Sequence, residues 1–201
     1  MATKRTPANK GRRYPAEILT EAEVKALIGA CSPRAPTGVR NRALIVTMWR
    51  AGLRVAEALA LKPKDIDPAK PSIHILHGKG DASRIVGIDE SALAFIQRWV
   101  DLRAARGING RATLFCTLKG DALPTSYVRA LLPRLAGKVG IDKRVHAHAF
   151  RHTMAAQLAA EGIPLNIIQA QLGHRNAATT SRYLNHIAPQ QVIDAMRTRS
   201  W

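Results

Sequence analysis

Residues 148–183 read HAFRHTMAAQLAAEGIPLNIIQAQLGHRNAATTSRY and constrain the fold more than any other segment. His148 and Arg151 open the segment, Leu172-Gly173-His174 follows a helix-sized gap, and Tyr183 lies nine residues beyond His174. Arginine and histidine side chains can hold and neutralise phosphate oxygens, and a tyrosine hydroxyl can attack phosphorus. These residue types in this order suit chemistry on a phosphodiester.

A second candidate group lies upstream, in Ala51-Gly52-Leu53-Arg54-Val55-Ala56-Glu57. The glycine break places Arg54 at or near a helix start, where backbone N–H groups and the helix dipole favour an anion. Glu57, three residues on, shares that helix face and can orient the Arg54 guanidinium. On this segment alone, an ordinary surface Arg–Glu pair is the simpler interpretation.

Lys79 is flanked by glycines between two predicted strands. A lysine in a hairpin is usually a solvated turn residue, but a glycine-flanked lysine at a hairpin tip can also reach into a DNA groove. Lys70 and Arg84 are nearby basic residues, so the local pattern alone does not single out Lys79.

The spacing of His148 and Arg151 predicts that both contact one phosphate from a helix N-terminus. His146-Ala147-His148 could instead bind a metal, but no carboxylate or cysteine lies close in sequence, which favours the phosphate interpretation. Tyr183 alone would more often be a core or rim aromatic; its polar, basic neighbours favour an accessible hydroxyl.

The composition points to a globular, nucleic-acid-binding protein. The 201 residues fit one ordinary domain, and 46% are hydrophobic although only 4% are aromatic. The formal charge of +17 exceeds what solubility needs and suggests a polyanionic partner, DNA or RNA by default. A ribosome-associated or membrane-surface protein could carry similar charge, and composition alone does not separate these classes.

Residues 1–18 are predicted to form a flexible basic arm that binds DNA. Its basic residues are Lys4, Arg5, Lys10, Arg12 and Arg13. The segment has no apolar run and is therefore not a secretory signal, and the longest apolar stretch elsewhere is far too short to span a bilayer. We expect a cytoplasmic, nucleoid-associated protein without membrane contact.

The periodicity predicts an α+β domain that is mostly helical, with a small antiparallel sheet near its front. The first helix should start near Thr20, because Thr20 and Glu23 have capping-box spacing. Further helices are predicted over 39–50, 55–61, 89–106, 125–138, 148–161, 164–172, 177–183 and 190–197. Strands are predicted over 72–76, 84–88 and 113–116, with a turn between Pro63 and Pro68. Pro133 should bend or break its helix.

Taken together, the order and spacing of these motifs resemble the catalytic domain of the tyrosine recombinases, the phage integrase family. The matching pattern is Ala-Gly-Leu-Arg-Val-x-Glu, a Gly-Lys-Gly hairpin, His-x-x-Arg-His, Leu-Gly-His and a later tyrosine. The resemblance covers roughly residues 19–192. It implies the tyrosine recombinase catalytic-domain fold over 19–201, ending in a C-terminal helix.

The resemblance also implies a role for each matching residue. Tyr183 would attack the scissile phosphate to form a 3′-phosphotyrosyl bond and release a 5′-hydroxyl. Arg54, Arg151 and His174 would stabilise the charged transition state. His148 would help accept the tyrosine proton, and Lys79 would protonate the leaving oxygen. Arg84 and Arg175 are further expected DNA-binding residues.

The implied substrate is double-stranded DNA, with a tetrameric synapse formed by self-association and room for an accessory DNA-bending protein. No metal and no cofactor is required, because the covalent link stores the phosphodiester energy. Most family members carry a separate N-terminal core-binding domain, and we expect none here, as in the short fimbrial phase-switch recombinases. The alternatives are a non-catalytic or weakly catalytic DNA-binding regulator and a type IB topoisomerase-like activity.

Overall fold

The structure is a computed structural model that describes residues 18–76, 83–173 and 196–197. Several residues of interest lie outside this part of the chain: Lys79, His174, Arg175, Tyr183 and the basic residues of the arm. The predicted helix over 177–183 lies outside it as well, and of the predicted helix over 190–197 only Met196 and Arg197 are described, both helical.

The described residues form seven α-helices and one three-stranded sheet. The helices are α1 (Glu21–Gly29), α2 (Pro36–Arg50), α3 (Val55–Ala60), α4 (Glu90–Ala105), α5 (Thr125–Lys138), α6 (Ala147–Ala160) and α7 (Leu165–Leu172). The strands are β1 (Ile66–Asp67), β2 (Ser72–Ile75) and β3 (Arg84–Gly87), paired antiparallel in the order β1-β2-β3. The predicted fold class, mostly helical with a small antiparallel sheet, is confirmed.

Helix α2 forms the centre of the fold. Eleven of its fifteen residues are buried, and it packs against α1, α3, α4 and α6. It starts three residues earlier than predicted because Pro36 occupies the first helical turn, where a missing N–H costs no hydrogen bond. Because α2 ends at Arg50, next to the turn that leads to Arg54, the core fixes the position of that turn.

The N-terminal cap of α1 was predicted correctly. The Glu23 amide donates to the Thr20 hydroxyl (3.1 Å), and the Thr20 amide donates to the Glu23 carboxylate (2.7 Å). Just before this cap, the Leu19 amide donates to the Thr153 hydroxyl on α6. Lys143 donates to the Ile18 carbonyl and pairs with Glu23. The first described residues are thus held against α6.

The predicted strand over 113–116 is wrong. This segment is a buried loop, and only Cys116 makes an isolated bridge, to Ala122. Its apolar residues are buried as in a strand, but their backbone groups pair elsewhere: the Leu114 amide donates to the Leu61 carbonyl, and the Trp99 indole donates to the Leu114 carbonyl. Apolar content alone did not distinguish a buried loop from a strand.

The segment between Pro63 and Pro68 is more regular than predicted. The predicted turn between Pro63 and Pro68 contains a 3-10 helix (Pro63–Asp65) and strand β1, which is the third strand of the sheet. Helix α5 is not broken at Pro133. Pro133 has no N–H to donate to the Arg129 carbonyl. Both residues are exposed, so water can satisfy that carbonyl.

A buried polar network joins α2 to α5 away from the residues discussed below. The Arg40 side chain, 3% exposed, donates to the Cys116 carbonyl (2.9 Å), the Tyr127 hydroxyl (2.6 Å) and the Asn41 amide oxygen. The Tyr127 hydroxyl in turn donates to Asn41. The Tyr127 hydroxyl therefore accepts one hydrogen bond and donates another within this network.

None of the helices in the described part of the chain combines the length and the apolar character that crossing a membrane would demand.

Candidate active site

Arg54 is the N-cap residue of α3, as the glycine break predicted. The Arg54 guanidinium lies 2.7 Å from the Glu57 carboxylate, and the Arg54 amide donates to the other Glu57 oxygen at 3.0 Å. Its side chain keeps 28% of its surface exposed, whereas that of Glu57 keeps 3%. Arg54 can therefore face a ligand while Glu57 holds it from behind.

Glu57 binds a second arginine from the sheet. Both terminal nitrogens of Arg84 donate to the Glu57 oxygens, at 3.1 and 2.9 Å. Burial alone would raise the pKa of Glu57, but hydrogen bonds from Arg84 and Arg54 outweigh it and lower the pKa to about 2. Glu57 therefore contributes stability that is present above its ordinary pKa and is lost as the pH falls through the folded value.

Arg151, on α6, is the most buried of the candidate site residues. Its side chain is 1% exposed and donates to the Gly52 carbonyl (2.6 Å) and to the Leu172 carbonyl. Gly52 precedes Arg54 by two residues, and Leu172 precedes His174 by two. Arg151 thus joins the turn that carries Arg54 to the end of the helix that leads to His174.

The two glycines at these turns are required by geometry. Gly52 has a φ of +63° and Gly173 a φ of +62°, in the left-handed region. A Cβ at Gly52 would lie 2.8 Å from the Met154 sulfur, and one at Gly173 would lie 2.7 Å from the Arg84 side chain. Gly52 can therefore pack against Met154, and Gly173 against Arg84, only because these positions lack a side chain.

His148 lies three residues before Arg151 on α6, in the first turn of that helix. Desolvation of the ring, followed by the charges of Arg151, His146 and Arg54, lowers its pKa to about 4. The imidazole is therefore neutral at pH 7. The hydrogen bond from Arg151 to the Gly52 carbonyl brings α6 beside the turn that leads into α3.

Within the described residues, the structure brings together Arg54, Glu57, Arg84, His148 and Arg151. Lys79, His174, Arg175 and Tyr183 lie outside these residues, and their assignments stay predictions. In the described segments, no group of three or more histidine, cysteine or acidic residues is arranged to hold a metal ion.

A sequence model of the phage integrase family matches residues 17–190, most of the chain. The chain belongs to the phage integrase family. Among its curated relatives, the tyrosine recombinase XerC of Halalkalibacterium halodurans is 31% identical over 195 residues, which cover 94% of this chain and 64% of that protein. The tyrosine recombinase XerD of Ralstonia nicotianae is 34% identical over 187 residues, covering 92% and 60%.

Solved structures of recombinases have the same fold. The crystal structure of the XerA recombinase matches with a TM-score of 0.81 and 32% identity, over 98% of this chain and 70% of that one. The XerH site-specific recombinase in a post-cleavage complex with a palindromic difH substrate matches with a TM-score of 0.75 and 28% identity, over 92% and 54%. This chain spans a little under two thirds of the length of the curated relatives named above.

One contact that positions the site was not found from sequence. The Gln171 side chain donates to the Gly87 carbonyl (2.8 Å) and accepts from the Gly87 amide (2.9 Å), so it binds α7 to strand β3 as a neighbouring strand would. Nothing in the local pattern distinguishes Gln171 from Gln169, and only the packing of α7 on the sheet reveals it.

The lowered pKa of His148 gives a direct test. Histidine ring carbon signals followed by NMR in the DNA-free protein should show one histidine, absent in His148→Asn, that titrates far below the ordinary value of about 6.5. Adding duplex DNA should raise this pKa, because a bound phosphate offsets the nearby positive charge. A free-protein midpoint near the ordinary value, unchanged by DNA, would contradict the assigned environment.

Proposed function

We propose that this chain is the catalytic domain of a site-specific DNA recombinase that cuts and rejoins DNA through a 3′-phosphotyrosyl intermediate. The observation that carries the proposal is the arrangement around Arg151. This buried arginine joins the turn of Arg54 to the helix end that leads to His174, beside His148. Two arginines on one site provide the preorganised positive charge that a phosphoryl transition state requires.

In the proposed reaction, the Tyr183 oxygen forms a bond to phosphorus as the bond from phosphorus to the 5′-oxygen breaks. The phenol proton passes to His148 or to a phosphate oxygen, and the 5′-oxygen takes a proton from Lys79. A pKa of about 4 makes His148 a weak acceptor for a phenol proton, whose ordinary pKa is about 10. The bound phosphate must therefore raise the pKa of His148 before it can accept that proton.

Double-stranded DNA is the proposed substrate. The formal charge of +17 favours a polyanion, and the XerH relative was solved on a DNA substrate. We further propose that residues 1–18 act as a basic arm along the DNA backbone and that residues 19–201 form the catalytic domain. Protein–protein contact in a tetrameric synapse would distinguish a recombinase from a topoisomerase-like enzyme acting as a monomer.

The proposal can be tested without knowing the target sequence. The wild-type protein is incubated with a library of nicked duplexes that carry a random central region, and covalently attached DNA is recovered after denaturation. We expect an adduct enriched in one sequence family, because the nick lets the short leaving strand diffuse away and traps the intermediate. Strong DNA binding without any adduct would instead favour the non-catalytic regulator.

A further inference from the structure

Arg84 differs from the other two site arginines in its partner. Both of its terminal nitrogens donate to a carboxylate, which offsets its charge, whereas those of Arg151 donate to backbone carbonyls and Arg54 stays 28% exposed. Arg84 was expected to bind DNA because it is basic and follows the Lys79 hairpin. In the structure its side chain is only 14% exposed, and both terminal nitrogens donate to the Glu57 carboxylate. If Arg84 turned toward a phosphate, Glu57, whose side chain is 3% exposed, would lose one of its two arginine partners. Separating a buried ion pair in this way costs free energy.

A second contact joins Arg84 to the end of α7. A Cβ added at Gly173 would lie 2.7 Å from both Cδ and Nε of Arg84 and 2.9 Å from Cζ. The guanidinium therefore packs directly against the Gly173 backbone, one residue before His174. Its position is further fixed because Gln171 binds α7 to Gly87, in the same strand as Arg84.

From these two contacts we infer that Arg84 is a positioning residue, which sets Arg54 through Glu57 and the approach to His174 through Gly173, and does not hold DNA itself. The inference rests on the proposed function, in which Arg54 and His174 contact the scissile phosphate. Arg84 begins strand β3, so one side chain joins the sheet to the first turn of α3 and to the C-terminal end of α7.

Two measurements on duplexes recovered with the wild-type protein separate positioning from DNA contact. The first is DNA affinity as a function of salt, and the second is the single-turnover cleavage rate with DNA saturated by protein. For Arg84→Met we expect unchanged affinity and salt dependence, with a cleavage rate about 10²-fold lower, because small displacements of reacting groups have effects of that size. Arg84→Lys keeps a positive charge beside Glu57 and should recover part of the cleavage rate. The recovery should be incomplete, because a lysine cannot bind the carboxylate in bidentate fashion.

The matched control is Arg50→Met, which removes another arginine–carboxylate pair, 2.6 Å from Asp89. It should leave cleavage unchanged, and thermal unfolding of all variants identifies any that fail to fold. If Arg84→Met does not fold, the salt dependence and the cleavage rate of Arg84→Lys are compared with those of Arg50→Met instead. A salt slope reduced by about 0.9, the value for one lost phosphate contact, would overturn the inference, as would full cleavage activity in Arg84→Met.

An independent readout keeps this inference separate from the proposed function. The Glu57 carboxyl carbon can be titrated by NMR, where loss of Arg84 should raise the pKa of Glu57 and loss of Arg50 should not. A wild-type protein that forms no DNA adduct would overturn the proposed function. The titration would then still show whether Arg84 holds Glu57. An unchanged pKa of Glu57 in Arg84→Met would overturn the inference that Arg84 positions this carboxylate.

Discussion

The variant Tyr183→Phe is expected to bind DNA as tightly as the wild-type protein while forming no covalent adduct. Phenylalanine keeps the ring and removes only the hydroxyl oxygen that would bond to phosphorus. The measurement is a denaturing gel of the protein with the recovered nicked duplex, where an adduct migrates as a shifted band. Affinity is measured in parallel on the intact duplex.

Tyr127→Phe is the matched control for this experiment. The Tyr127 hydroxyl is held in the core network by Arg40 and Asn41, so its removal should lower stability and leave adduct formation intact. An adduct that persists in Tyr183→Phe would show that another residue is the nucleophile. Tyr14, which lies outside the described residues, would be examined next.

Changes at Arg151 are expected to have the largest combined effect on stability and cleavage. Arg151→Ala would leave the Gly52 and Leu172 carbonyls buried without this donor and would open a cavity. Each buried carbonyl left without its donor costs about 1–3 kcal/mol, and the cavity adds to that cost, so the free energy of unfolding should fall by several kcal/mol. Because a domain can be unfolded by a loss of that size, Arg151→Lys is the more informative variant.

Arg151→Lys keeps the positive charge but cannot donate to two carbonyls in the fixed geometry of a guanidinium. We expect a folded protein whose cleavage rate at saturating DNA is at least about 10²-fold lower, the usual effect of losing one preorganised donor. Arg40→Lys changes another buried arginine, in the α2–α5 network, and should lose stability without losing cleavage. Equal cleavage by the two lysine variants would contradict a catalytic role for Arg151.

The sequence was most informative where local chemistry decides the structure. The capping pair Thr20 and Glu23 predicted the start of α1, and the glycine before Arg54 predicted the helix start that presents it. The Arg54–Glu57 contact follows from helical spacing alone. The order and spacing of all the motifs together indicated the family, which no single motif did.

Features that depend on distant contacts could not be predicted. Segment 113–116 has the composition of a strand, but its backbone pairs with the end of α3 and with Trp99. Strand β1 has two residues, too few for an alternating pattern. The contacts of Arg84 with Glu57 and Gly173 span 27 and 89 residues of sequence, and only the packing of α7 on the sheet brings them together.

The central claim, a phosphotyrosyl link at Tyr183, is tested most directly by mass spectrometry of the covalent adduct after nuclease and trypsin digestion. Trypsin should release residues 183–197, which begin with Tyr183, or residues 176–197 if cleavage after Arg182 is blocked. The account predicts that this peptide carries a nucleotide joined to Tyr183 through its 3′-phosphate, with a free 5′-hydroxyl on the released strand. A nucleotide on any other residue, or one joined through its 5′-phosphate, would contradict it.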